Sequence, residues 1–135
     1  MNELVLYYSF SGNTKQVAEE FAKARGLVAC EIRAQRKPGK LAAYTVGIVK
    51  AIQGAGTPIV PPALSFDGCE TAHIFAPVWA DGPAPPMNSA IALLPKGCAL
   101  HLHMVSASGK SGEERVTKLL QGKGYAVAGY EDIKK

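Results

Sequence analysis

Ser9-Phe10-Ser11-Gly12-Asn13-Thr14 places three hydroxyls, an amide side chain and a glycine just ahead of a stretch with helical spacing. Backbone N–H groups at the start of a helix lack intrahelical acceptors and carry partial positive charge, so they suit an anion, phosphate above all. Gly12 removes a side chain where backbone would approach that anion. The loop holds no lysine or arginine, which leaves neutralisation to hydrogen bonds. It matches neither the GxxxxGK(S/T) pattern of nucleoside triphosphatases nor the GxGxxG of dinucleotide binders. The competing reading is an ordinary helix cap by Ser11 or Asn13.

Two further segments carry usable chemistry. Pro77-Val78-Trp79-Ala80-Asp81-Gly82-Pro83 contains the only tryptophan, Trp79, just past an apolar run. A loop tryptophan there offers a flat face to an aromatic ligand, or fills a gap between loop and helix. Ser106-Ala107-Ser108-Gly109-Lys110-Ser111-Gly112 is built of small residues that let backbone run close to a ligand, or simply form a turn before a helix. Together the three describe a phosphate pocket, a stacking wall and a backbone rim.

The elements that must position these loops alternate in type. Leu4 to Tyr8 reads as a buried strand. Val17, Ala18, Phe21 and Ala22 fall at helical spacing, and Gly26 ends that helix. Leu27 to Ile32 reads as the second strand, 36–40 as a loop and Leu41 to Gln53 as the second helix. The third strand is Ala72 to Ala76, followed by a loop over Pro77 to Pro86 and a short helix over Met87 to Leu94. Ala99 to Val105, a helix over Glu113 to Gln121 and a last strand over Tyr125 to Tyr130 complete the series. Strands alternating with helices predict a doubly wound parallel sheet, with ligands at the carboxyl ends of the strands where the strand order reverses.

Composition narrows the function classes. The 135 residues suit a single domain, and 47% hydrophobic with 19% charged residues can bury one core without staples. The three cysteines, Cys30, Cys69 and Cys98, form no CxxC pair and are expected as small buried hydrophobes in a reducing compartment. Met1-Asn2-Glu3 runs directly into the first strand, so no signal peptide is expected and a cytoplasmic location is. No apolar stretch has membrane-spanning length. The net charge of +4 is scattered, without the aromatic interleaving of a nucleic-acid surface.

With these residues in view, the chain resembles the flavodoxin family. Tyr8 to Thr14 resembles that family's (S/T)-x-(S/T)-G-x-T phosphate loop after the first strand. Ala76 to Pro86 is similar to the PVWAG-x-PAPP segment of one bacterial branch, and Val105 to Gly109 resembles the third flavin loop. The resemblance implies a five-stranded sheet in the order 2-1-3-4-5 and non-covalent flavin mononucleotide (FMN). It implies that Ser9, Phe10, Ser11, Gly12, Asn13 and Thr14 hold the phosphate. Pro77, Val78, Trp79, Ala80, Asp81 and Gly82, with Ser106, Ala107, Ser108, Gly109 and Gly112, would hold the isoalloxazine ring, Trp79 stacking on it. No catalytic side chain and no metal are then expected, because the chemistry is the flavin's. The implied function is electron transfer. The alternatives are an NAD(P)H-dependent quinone reductase and a domain that has lost FMN and acts through protein contacts.

Two features depart from the family pattern. The chain is net basic and Lys110 lies in a ring loop, opposed by Asp81; a cation there raises the potential of a reduced anionic ring. A basic surface also suggests an acidic redox partner. Second, Glu131 to Lys135 is too short for the usual C-terminal helix. The fourth strand accordingly alternates, with Leu100, Leu102 and Met104 on one side and His101 and His103 on the other. The face left open is expected to pair with another copy in a homodimer or with another partner; the alternatives are a solvated face and, least favoured, a metal site.

Overall fold

The apolar run at the N-terminus becomes the strand β1 (Glu3–Tyr7), buried from both sides at Val5, Leu6 and Tyr7 as a central parallel strand must be. A computed structural model describes residues 3–35 and 56–135. After β1 the chain turns at Gly12 into α1 (Asn13–Ala24), whose buried positions Thr14, Ala18 and Ala22 recur every four residues along one face. The helix stops where Gly26 takes a φ of +68°. There Gly26 N–H donates to Lys23 O and Leu27 N–H to Ala22 O, which satisfies two terminal carbonyls.

β2 (Ala29–Glu31) is shorter than the expected 27–32. The chain then reaches β3 (Thr71–Trp79), β4 (Gly82–Pro83), α2 (Pro85–Ile91), β5 (Ala99–Ser106), α3 (Glu113–Gly122) and β6 (Ala126–Lys134). The sheet order is β2-β1-β3-β5-β6, every neighbour parallel, with β4 paired antiparallel to β3. The five long-path strands thus have the flavodoxin-like 2-1-3-4-5 order. The loop expected at 36–40 and the helix expected at 41–53 lie outside the described residues.

The largest further differences from the sequence reading lie in three segments. The segment 77–86 is not a loop: β3 runs on to Trp79, reverses at Ala80 and Asp81 and returns as β4. Helix α2 starts at Pro85 rather than Met87, since proline fits the first helical turn, and it ends at Ile91. The last strand continues from Tyr130 to Lys134, so the short tail is strand.

One face of the sheet packs Leu6, Ile74, Leu100, Leu102 and Met104 against Met87, Ile91, Val116 and Leu120 from α2 and α3. All three cysteines are free and buried in this core, as expected. Cys98 Sγ lies 3.6 Å from Cys69 Sγ, and burial together with that thiol pushes Cys98 up to about 12.

The other face holds α1 over Val5, Tyr7 and Phe75. His101 and His103 lie on it, joined by His73 of β3, which pairs with His101 in register. His103 is 7% exposed, so it is no surface residue, which corrects the solvated reading for that position. Its ring stacks on Phe75 with centroids 4.2 Å apart and planes at 5°, while His73 and His101 stack at 4.9 Å. His73 Nε2–H donates to Glu3 Oε2 and His103 Nδ1–H to Glu131 Oε2, each at 2.5 Å. Among the described residues no group of three histidine, cysteine or acidic side chains is arranged to hold a metal ion. β6 makes room for this layer by a register shift between Leu100 and His101 that sets Gly129 opposite His101. A Cβ at 129 would come within 2.7 Å of the His101 ring.

Candidate functional site

The order β2-β1-β3 reverses direction at β1, so a crevice opens beyond the carboxyl ends of β1 and β3, where ligands settle in such sheets. All three sequence-selected segments reach this edge.

The first follows β1. Tyr8 N–H still donates to Phe75 O, and then the chain leaves the sheet. Gly12 takes a φ of +100° and its N–H donates to Ser9 Oγ at 2.8 Å. Gly12 is itself the N-cap residue of α1, so no side chain caps the helix. The capping reading of Ser11 and Asn13 is therefore not what forms here, and both side chains are exposed. The loop thus presents the first-turn N–H groups of α1 without competition from its own side chains. Thr14 lies at the inner edge of this turn, 2% exposed.

The second segment is the β3–β4 hairpin. Val78 pairs with Pro83 and Trp79 with Gly82, around a two-residue turn in which Ala80 and Asp81 have φ of +50° and +67°. Positive φ at both central positions is the turn geometry that matches strand twist, usually made by Asn-Gly. Trp79 lies nearly perpendicular to Tyr8 (6.4 Å, 82°) and to Phe10 (5.6 Å, 83°). The tryptophan is therefore seated directly against the first loop.

The third segment begins with Ser106, the last residue of β5, and ends at Gly112, the N-cap position of α3. Ser106 Oγ accepts from Gly109 N–H at 3.0 Å and Ser108 Oγ from Lys110 N–H at 3.3 Å, so the serines fold the loop on itself. Ala107 lies between them. Gly109 has a φ of +70°, and a Cβ there would come within 2.9 Å of Lys134 Cβ. Ser111 Oγ–H donates to Asp132 Oδ1 at 2.5 Å and is left to accept from Tyr130 O–H. Burial raises the Tyr130 phenol, which keeps that proton in place.

The second and third segments are bonded together. Gly112 N–H donates to Asp81 O at 2.7 Å, and Arg115 Nη2 donates to Ala80 O at 2.8 Å. The structure thus brings all three segments to one edge. It sets Tyr8, the first residue of the phosphate-loop stretch, against Trp79, and it adds Arg115, Tyr130 and Asp132, which sequence reasoning did not select. Arg115 carried one usable signal, a cation three residues beyond the third loop; the others are fixed only by strand pairing.

No protein-family model and no curated protein matches the sequence. Solved structures do. A flavoprotein of Lactobacillus acidophilus NCFM crystallised in complex with FMN superposes with a TM-score of 0.75 at 20% identity, over 96% of this chain and 91% of that one. The apo-form of the Lactobacillus acidophilus NCFM flavoprotein, solved by NMR, gives 0.64 at 20% identity, covering 97% and 91%. A candidate flavoprotein from Bacteroides eggerthii DSM 20697 gives 0.77 at 18%, covering 96% and 86%. Likenesses of this closeness in shape, at this distance in sequence, establish that the chain has the flavodoxin-like α/β fold.

Proposed function

We propose that this chain binds FMN non-covalently at the carboxyl edge of β1, β3 and β5 and transfers electrons through it. The observation that carries the reading is the contact of Phe10 with Trp79, which joins a helix start uncapped by its own side chains to an aromatic wall. A phosphate and a flat ring in one ligand match that pair of features. The FMN complex of the Lactobacillus acidophilus protein, which shares this fold, supports the same ligand.

Under this reading the residues divide by task. Ser9, Ser11, Asn13 and Thr14, with the first-turn N–H groups of α1, donate to the phosphate. Gly12 keeps the approach open, and Phe10 backs Trp79. Trp79 stacks on the ring, flanked by the hairpin residues Pro77 to Gly82 and by the third loop from Ser106 to Gly112. The flavin supplies the redox chemistry when bound; the protein orients it, limits access and sets the local field.

Titration of FMN into the flavin-free protein tests this, read by Trp79 fluorescence. Saturable quenching with one flavin per chain is expected, and absence of binding overturns the reading. Lys110 and Arg115 near the ring loops, with the net charge of +4, predict a less negative potential than in acidic flavodoxins. An equally low potential in redox titration refutes that charge argument. Rapid reduction by NADPH alone would move the protein to the reductase class. We also propose an acidic redox partner and self-association through the sheet face beside α1, the latter checked by light scattering at micromolar concentration.

A further inference from the structure

Ala80 and Asp81 both hold left-handed backbone that disfavours residues with a Cβ. A turn of this kind needs support from outside its own sequence, and α3 supplies it. Arg115 binds the Ala80 carbonyl and Gly112 N–H binds the Asp81 carbonyl, so two consecutive turn carbonyls are tied to the start of one helix. The approach is close: a Cβ on Gly112 would lie 3.2 Å from Asp81 Cβ and 3.3 Å from Asp81 O. The turn lies immediately beyond Trp79, so whatever fixes the turn fixes where the tryptophan leaves the sheet.

The geometry points to Arg115 as a positioning residue for the ring of the bound flavin. It holds the Ala80 carbonyl, locks the strained turn beyond Trp79 and brings a permanent positive charge to that end of the crevice. This role rests on the FMN reading. It belongs to the ring and not to the phosphate, because Arg115 is bonded to the hairpin, whereas the phosphate groups are assigned to the loop after β1.

FMN and riboflavin share the ring and differ by the phosphate, so the pair separates the two ends of the site. Arg115→Met is expected to weaken FMN and riboflavin by the same factor, about tenfold for one lost charge-assisted hydrogen bond. It is also expected to make the potential of bound FMN more negative. Arg115→Lys keeps the charge without the fork, so it should keep the potential while losing part of the affinity. Ala80→Gly in the Arg115→Met background removes steric cost from the turn and should restore ring affinity. Weakened FMN with unchanged riboflavin assigns Arg115 to the phosphate and overturns the proposal, as does no change in either ligand.

Amide exchange of Gly112 in the flavin-free protein reads the latch alone, and faster exchange is expected in Arg115→Met. Failure of the unaltered chain to bind either flavin overturns the FMN reading and the ring role with it. The Gly112 exchange result then still reports whether Arg115 locks the turn.

Discussion

Replacing Gly12 with alanine separates the backbone cost of the first loop from its role toward a ligand. Gly12 sits at φ +100°, ψ −17°, and a Cβ built there meets nothing within 4 Å. The whole cost in the flavin-free protein is therefore conformational. Left-handed backbone costs an ordinary residue roughly 1–2 kcal/mol, and a φ this far from the left-handed well near +57° argues for the upper end. About 2 kcal/mol corresponds to a fall in Tm of about 6–8 °C for a domain of this size. FMN should suffer more than stability does, because the new methyl group occupies the open space through which backbone approaches the phosphate. Riboflavin, which has no phosphate, should bind Gly12→Ala as it binds the parent. Thermal melting of the flavin-free protein and paired FMN and riboflavin titrations check both parts. An unchanged Tm refutes the backbone argument; unchanged FMN affinity refutes the placement of the phosphate.

Three further outcomes follow from the packing. Burial lowers the pKa of His103, opposed by its bond to Glu131, and burial with His73 and Arg25 nearby lowers His101. The folded chain then binds fewer protons than the unfolded one, so stability is complete above about pH 6.5 and falls as pH drops through the lower folded values. Urea denaturation from neutral pH to about pH 5 should show this, and His103→Gln should flatten the dependence; a flat profile in the parent refutes it. Phe75→Ala removes a ring 1% exposed, held between Phe21 at 5.1 Å and His103 at 4.2 Å. It should lose about 3–5 kcal/mol in denaturant unfolding. Tyr125 O–H donates to Ile91 O at 2.8 Å, with Leu94 O 3.2 Å away as a second acceptor, and so fastens the turn that follows α2. Tyr125→Phe should therefore lose about 1–3 kcal/mol, and a loss below a few tenths would show that other donors replace it.

Much of this architecture was legible in local pattern. Leu4-Val5-Leu6-Tyr7 reads as a buried strand from its short apolar run alone, and Gly26 ended the helix after Phe21 and Ala22 by a rule that needs no partner. The β3–β4 hairpin escaped notice because its turn is Ala80-Asp81, with neither the asparagine nor the glycine that announces positive φ. That conformation is imposed by Arg115 and Gly112 from across the fold, a tertiary cause with no local trace. The histidine layer was half visible: the alternation of His101 and His103 showed in sequence, but His73 joined them only once β3 and β5 were paired in register. The same holds for Cys69 and Cys98, far apart in the chain and in contact because each precedes one of two adjacent strands. The extension of β6 through Glu131 to Lys134 was hidden by charge, since alternating polarity is weak where one flank of a strand faces solvent.

That charged extension bears on how the edge of the sheet escapes indiscriminate strand pairing. Among the described residues β6 pairs with β5 alone, so its other side offers a row of unpaired backbone groups to any passing strand. A nine-residue edge is long enough to seed intermolecular pairing, the first step toward aggregation. Glu131, Asp132 and Lys134 place charges of both signs along it, and the register shift opposite Leu100 and His101 disturbs its regularity. The opposite edge meets the same hazard by brevity: β2 offers three residues, too few to template a partner. The acidic and basic side chains that obscured the last strand in the sequence are thus the gatekeepers that let a parallel sheet end in solvent.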